Sequence, residues 1–274
     1  MKRFAVLILS LMMMKTTNSN AQGKYADVNG LKMYYEIHGS GSPLVLLHGG
    51  GSTIKTTFST ILPELAQSHQ VIAIELQAHG HSGDREAPET FDQDAADVAE
   101  LLKQLNIPKA DIFGFSNGGQ TAMVMGIKYP DKVNKLIIAS AFYSRDAVPA
   151  GFWEGFKDPK FSDMPQIYKD EYLKIKDQAG LMNMFKQDSR RMANFKGWSD
   201  EEVGSIKAPS LIVIGDQDLP SPEHAAKMNR LIQNSRLSIL PGNHGSYMGE
   251  AMSWGSKSKI PALFVELVNE FLAK

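Results

Sequence analysis

Apolar residues fall along this chain in short blocks whose period switches repeatedly between that of a strand and that of a helix. Leu31 to Ile37 alternates and is rich in tyrosine, the pattern of a half-exposed opening strand. Pro43 to Leu47 is short and continuously apolar, as a strand buried on both faces requires. A helical stretch is predicted from Thr56 to Ser68, followed by a second buried strand at Val71 to Ile74. Val98, Leu101, Leu102 and Leu105 recur at helical spacing within Ala95 to Leu105, and Pro108 then breaks the chain. The apolar run Ala110 to Phe113 opens into a helical stretch through Met123 to Ile127, and Lys135 to Ala139 is another buried strand. Further along come a strand at Leu211 to Ile214, a helix at Pro222 to Ile232, a strand at Leu237 to Leu240 and an amphipathic helix at Pro261 to Leu272. Strands alternating with helices in this way predict an α/β protein with a mostly parallel, doubly wound sheet.

One segment breaks the rhythm. From Phe142 to Ile206 no buried strand is evident, and Gly151, Gly155, Pro159, Pro165, Gly180 and Gly197 interrupt the helical pieces. The segment is rich in aromatic and methionine side chains, which predicts a helical cap insertion, 142–206, forming an apolar pocket wall over one end of the sheet. Trp153 and Phe156 are the candidates to face that pocket.

The first 21 residues follow different rules. Lys2 and Arg3 precede a predominantly apolar run from Phe4 to Met14, and small or polar residues lead to Ser19 and Ala21 in an A-x-A-like arrangement. That is the layout of a signal peptide, 1–21, cut after Ala21. As a helix the run reaches about 16 Å, short of the roughly 30 Å hydrocarbon core, so no integral membrane association is expected after cleavage. The expected location is periplasmic or extracellular, with 22–274 as one domain. Removing Lys2, Arg3 and Lys15 leaves 26 basic against 30 acidic residues.

Composition narrows the chemistry. The 274 residues are 43% hydrophobic and 22% charged, the balance of a globular protein. A formal net charge of -1 gives no electrostatic case for a nucleic-acid partner. Cysteine is absent, which rules out disulfides, a thiolate nucleophile and Cys-ligated metal.

A nucleophile is nevertheless present. Gly114-Phe115-Ser116-Asn117-Gly118 reads G-x-S-x-G between a β-type run and a helix-type run. In such a strand–turn–helix hairpin the central side chain is thrust out above the sheet, and the flanking glycines let strand and helix approach. A serine hydroxyl is nearly inert at neutral pH, so it needs a base and an orienting acid. Two groups follow later strands, Gly215-Asp216-Gln217-Asp218 and Gly242-Asn243-His244, and both fall at the sheet edge that carries Ser116.

His48-Gly49-Gly50-Gly51, Gly114–Gly118, Gly215–Asp218 and Asn243-His244, in this order, make the chain resemble the α/β-hydrolase fold family over nearly all of residues 24–274. The resemblance implies an α/β-hydrolase fold with Ser116, Asp218 and His244 as catalytic residues. It prefers Asp218 to Asp216, because the family's G-x-x-D after the seventh strand supplies the acid. The oxyanion hole is expected from the backbone N–H groups of Gly50 and Asn117. His48 is then a structural hydrogen-bonder, and His38, His69 and His224 fall in surface-like contexts. His79 and His81, with Asp84, have a spacing that can bind metal. Ala78-His79-Gly80-His81-Ser82 instead resembles the family's G-H-G-x-S loop, with Ala78 in place of Gly.

The expected function is a serine hydrolase acting on a small-molecule ester or lactone with an apolar portion, without cofactor or metal. Serine rather than aspartate at 116 argues against haloalkane dehalogenases and epoxide hydrolases. Carbon–carbon bond hydrolases and cofactor-free perhydrolases use the same three residues and stay open. So does a receptor-like ligand-binding protein, although a pure binder has no physical need for Ser, Asp and His in register.

Overall fold

The computed structural model describes residues 23–273; the expected signal peptide lies outside the described residues. The described chain opens with a hairpin, β1 (Lys24–Val28) and β2 (Leu31–His38). Asn29 and Gly30 form its two-residue turn, both at positive φ, which matches the twist of the flanking strands. The pattern of apolar residues gives no sign of β1, because four of its five side chains are exposed or half-buried. Asn-Gly was the available signal.

After β3 (Ser42–Leu47) come two short helices, α1 (Ile54–Phe58) and α2 (Leu62–Leu65), where one helix over 56–68 was expected. Pro63 explains the break: without an N–H it cannot continue a helix, but the first turn of a new one tolerates it. Next are β4 (His69–Glu75), α3 (Phe91–Gln104), β5 (Ala110–Phe115), α4 (Asn117–Lys128) and β6 (Val133–Ala139). Between β6 and the next strand lie α5 (Ala150–Glu154), α6 (Gln166–Tyr172), α7 (Gln178–Ala193) and α8 (Asp200–Gly204). The chain finishes with β7 (Ser210–Gly215), α9 (Pro222–Leu231), β8 (Ser235–Leu240) and α10 (Ile260–Ala273).

Among the described residues, eight strands form one sheet in the order β1-β2-β4-β3-β5-β6-β7-β8. β2 is antiparallel to both its neighbours, and β3 to β8 are parallel. Successive residues of the central strands serve opposite layers. Leu44 and Leu46 pack with α1, α2 and α10, while Val45 and Leu47 pack with α3 and α4. Each such buried side chain contributes roughly 1.5–3 kcal/mol of transfer free energy, so covering both faces fixes the register.

A third, smaller apolar cluster joins Ala78 in the loop after β4 to Met164, Tyr172, Leu181 and Met184 of the segment between β6 and β7. It seats α6 and α7 against the loop that follows β4. Among the described residues no helix is long and apolar enough to cross a membrane.

Candidate active site

Ser116 follows β5 and caps α4 with φ 52° and ψ -121°, a conformation that costs an L-residue energy and aims its side chain away from both elements. The surrounding glycines make this turn possible. A Cβ at Gly114 would overlap the Gly118 carbonyl, and one at Gly118 would overlap the Leu47 carbonyl.

Two loops bring the other expected residues to Ser116. His244, after β8, places Nε2 3.1 Å from Ser116 Oγ, and its Nδ1 lies 2.6 Å from Asp218 Oδ1 in the loop after β7. Asp218 also accepts from the N–H groups of Gly215 (3.0 Å) and Leu219 (2.7 Å) and from the Ser140 hydroxyl (2.5 Å). Burial alone would raise the Asp218 carboxyl, but His244, Ser140 and Gly215 hold it below the usual carboxylate range. An ionised Asp218 can only accept, so Nδ1 of His244 carries the proton and Nε2 is left to accept from Ser116. Asp216 is elsewhere: its Oδ1 accepts the Gly242 N–H at 2.8 Å and ties the two loops together.

The expected oxyanion donors flank the serine. Gly50 and Asn117 line the same cavity as Ser116, and neither backbone N–H has a partner among the described residues. A Cβ at Gly50 would press on Asn117 Nδ2 and Asp188 Oδ2, so only glycine allows this approach. The next N–H, that of Gly51, donates to Asp188 Oδ2.

The remaining histidines have other partners. His48 donates from Nδ1 to the Gly49 carbonyl at 2.8 Å and accepts the Leu76 N–H at Nε2, 3.0 Å. Its burial lowers it to about 3, so it stays neutral. His81 Nδ1 lies 2.9 Å from Glu75 Oε2, while Asp84 accepts from Gln77 (2.7 Å) and Asn183 (2.6 Å). Ala78 adopts φ 62°, the left-handed conformation that favours glycine, and its carbonyl accepts from Tyr172 at 2.8 Å.

His224 and His69 depart from the surface contexts expected for them. His224 is buried against the Tyr143 ring, 4.7 Å between centroids, and burial lowers it to about 4. His69 is buried with Nε2 3.2 Å from Asn269 Oδ1. Both face helices or loops distant in sequence, which local composition does not report.

A cavity of about 460 Å³ opens above Ser116. Phe152, Phe156, Met164, Tyr168, Met184 and Met192 give it an apolar wall. Phe156 is where it was expected, but Trp153 is not. Its indole is buried between Phe142 and Phe195, and Nε1 donates to the Arg145 carbonyl at 2.8 Å. The one-residue offset follows from the short α5, which turns Phe152 toward the cavity and Trp153 toward the core.

Two participants carry no motif. Ser140 is a lone serine after β6, and Asp188 belongs to α7; the signal for Asp188 is the i, i+3 pair with Arg191 on a helix face otherwise buried.

Residues 42–171 match the α/β hydrolase fold family. Over 242 residues the chain is 30% identical to human serine hydrolase BPHL, covering 81% of this chain and 79% of that protein. The chain belongs to the α/β-hydrolase fold family. Another α/β-hydrolase similar to it is the 2-hydroxy-6-oxo-2,4-heptadienoate hydrolase of Pseudomonas putida, 26% identical over 94% of this chain and 99% of that one. Among solved structures, a serine hydrolase involved in carbazole degradation superposes with a TM-score of 0.75 at 20% identity, over 92% of this chain and 99% of that one, a likeness of fold.

Proposed function

We propose that this α/β-hydrolase is a serine hydrolase that cleaves a small ester or lactone with an apolar portion. The observation that carries the reading is His244 bridging Ser116 and Asp218 at 3.1 and 2.6 Å. Ser116 Oγ attacks the carbonyl carbon and passes its proton to His244 Nε2, while the oxyanion faces the N–H groups of Gly50 and Asn117. Collapse expels the alkoxide, protonated by His244, and leaves an acyl group on Ser116. Water, activated by the same imidazole, then releases the acid and restores the serine.

The cavity wall supports the choice of substrate. Its aromatic and methionine side chains favour an apolar group, while Lys160, Asp163 and Asp188 bring charges of both signs to the lining.

Labelling by a fluorophosphonate, mapped to Ser116, together with turnover of neutral p-nitrophenyl esters tests the reading. A protein that neither labels nor turns over esters, yet binds apolar ligands, would be a receptor instead.

A further inference from the structure

Asp188 meets as many donors as Asp218 does, and the mechanism above does not use it. It projects from α7, at 9% exposure, and its oxygens meet four donors. Oδ2 accepts the Gly51 N–H and lies 3.2 Å from His79 Nε2. Oδ1 accepts from Arg191 and, at 3.3 Å, from the side-chain amide of Asn117. One carboxylate therefore touches the residue after Gly50 and the residue after Ser116.

The protonation of its partners follows from geometry. His79 Nδ1 faces the Gln77 carbonyl at 2.7 Å, and a carbonyl can only accept. Its Nε2 faces a carboxylate that already accepts from Gly51, so both ring nitrogens carry protons and His79 is an imidazolium. Arg191 supplies a second positive charge and pairs as well with Asp94 at 2.8 Å. Removing this many charges from water costs several kcal/mol per ion before pairing offsets it. The apolar cluster of Met164, Tyr172, Leu181 and Met184 already seats α6 and α7 without such a cost. Holding the insertion in place does not explain the network; fixing atoms beside Ser116 does.

We propose that Asp188 is a positioning residue of the oxyanion hole: from α7 it fixes the Gly50-Gly51 turn and the Asn117 side chain so that the Gly50 and Asn117 N–H groups converge above Ser116. The proposal rests on the serine-hydrolase reading of Ser116. It makes the helical insertion part of the catalytic apparatus as well as a wall for the substrate, since the donors for the developing charge are held from α7.

The test compares Asp188→Ala, Asp188→Asn and Ser116→Ala on p-nitrophenyl butyrate, with the rates of the parent and the Asp188 variants normalised to sites titrated to completion by a fluorophosphonate and that of Ser116→Ala to folded protein concentration. Asp188→Ala should lose roughly 10²-fold in kcat, the usual effect of a lost oxyanion donor, while KM moves less than about threefold. Asp188→Asn keeps the volume and one acceptor oxygen and should lose about tenfold; it decides the matter if Asp188→Ala does not fold. A purely structural role would lower Tm and leave kcat per titrated site near the parental value in both variants, which would overturn the proposal. The two readings fail differently. Parental turnover by Ser116→Ala would overturn the serine mechanism, whereas an inactive Ser116→Ala beside fully active Asp188 variants would overturn only the positioning role.

Discussion

The hydroxyl of Ser140 donates to Asp218 Oδ2 at 2.5 Å, on the side of the carboxylate away from His244. Ser140 follows β6 at φ 50°, fully buried, with its oxygen also 2.8 Å from Tyr247 Oη. The contact leaves Oδ1 to His244 and the Leu219 N–H and fixes the plane of the carboxylate. Ser140→Ala should lower kcat by about tenfold, a share of the roughly 1.5–3 kcal/mol that hydrogen bonds to charged groups contribute. Asp218→Asn should cost about 10⁴ by favouring the wrong tautomer of His244. Asp216→Asn keeps an acceptor for Gly242 and should change kcat by less than about threefold. Steady-state kinetics on one ester rank the three; an order with Asp216 first would reverse the assignment of the acid.

Ser116→Ala should abolish fluorophosphonate labelling and lower kcat by roughly 10⁶, leaving the rate that binding and the oxyanion donors provide. Retention of near-parental kcat would place the chemistry at another residue.

Stability should fall as pH rises from about 6.5 to about 9. Burial pulls His79 down, but the Asp188 carboxylate and its hydrogen bond, with Glu89 behind them, raise it from 6.5 to about 9. The folded protein thus keeps a proton that the unfolded chain has released, so the stabilisation is complete below about pH 6.5 and lost through about pH 9. About 3 kcal/mol separates the two ends. Glu89, raised by burial to about 8, acts in the same direction. Urea unfolding at both ends of the interval measures the loss, and His79→Gln should reduce it. An equal loss in His79→Gln would show that His79 is not the group responsible.

Phe156→Ala should change selectivity across p-nitrophenyl esters from acetate to octanoate, because each methylene buried against that ring contributes up to about 0.8 kcal/mol. Trp153→Ala should instead lower stability by roughly 3–5 kcal/mol and leave the selectivity of the folded fraction alone. Thermal melts run beside the ester series separate the two effects. Identical selectivity profiles in both variants would remove Phe156 from the substrate wall.

Export makes a separate expectation. Protein recovered from the periplasm or medium of expressing cells should begin at Gln22, by N-terminal sequencing, if the cut falls after Ala21. Recovery of the intact chain from the cytoplasm alone would contradict it.

The sequence by itself determined what depends on neighbours along the chain. Continuous apolar runs such as Pro43–Leu47 and Leu211–Ile214 marked the parallel strands, because a strand covered on both faces has no polar side to show. The glycines around Ser116 marked its turn, because no other residue lets the chain pass Leu47 and Gly118 so closely. Ser116 and His244 were expected because each follows a strand at the same sheet edge, whereas Asp218 was preferred to Asp216, which follows the same strand, only on the family resemblance. Only the tertiary structure decided what each side chain meets across the fold. Asp188 and Gly51 are 137 positions apart, Ser140 and Asp218 are 78 apart, and no local period encodes either pairing. The burial of His224, and the choice of Phe152 over Trp153 for the cavity, were settled in the same way. Hydrophobic periodicity says which face of an element turns inward, but packing against distant elements selects the partner waiting there.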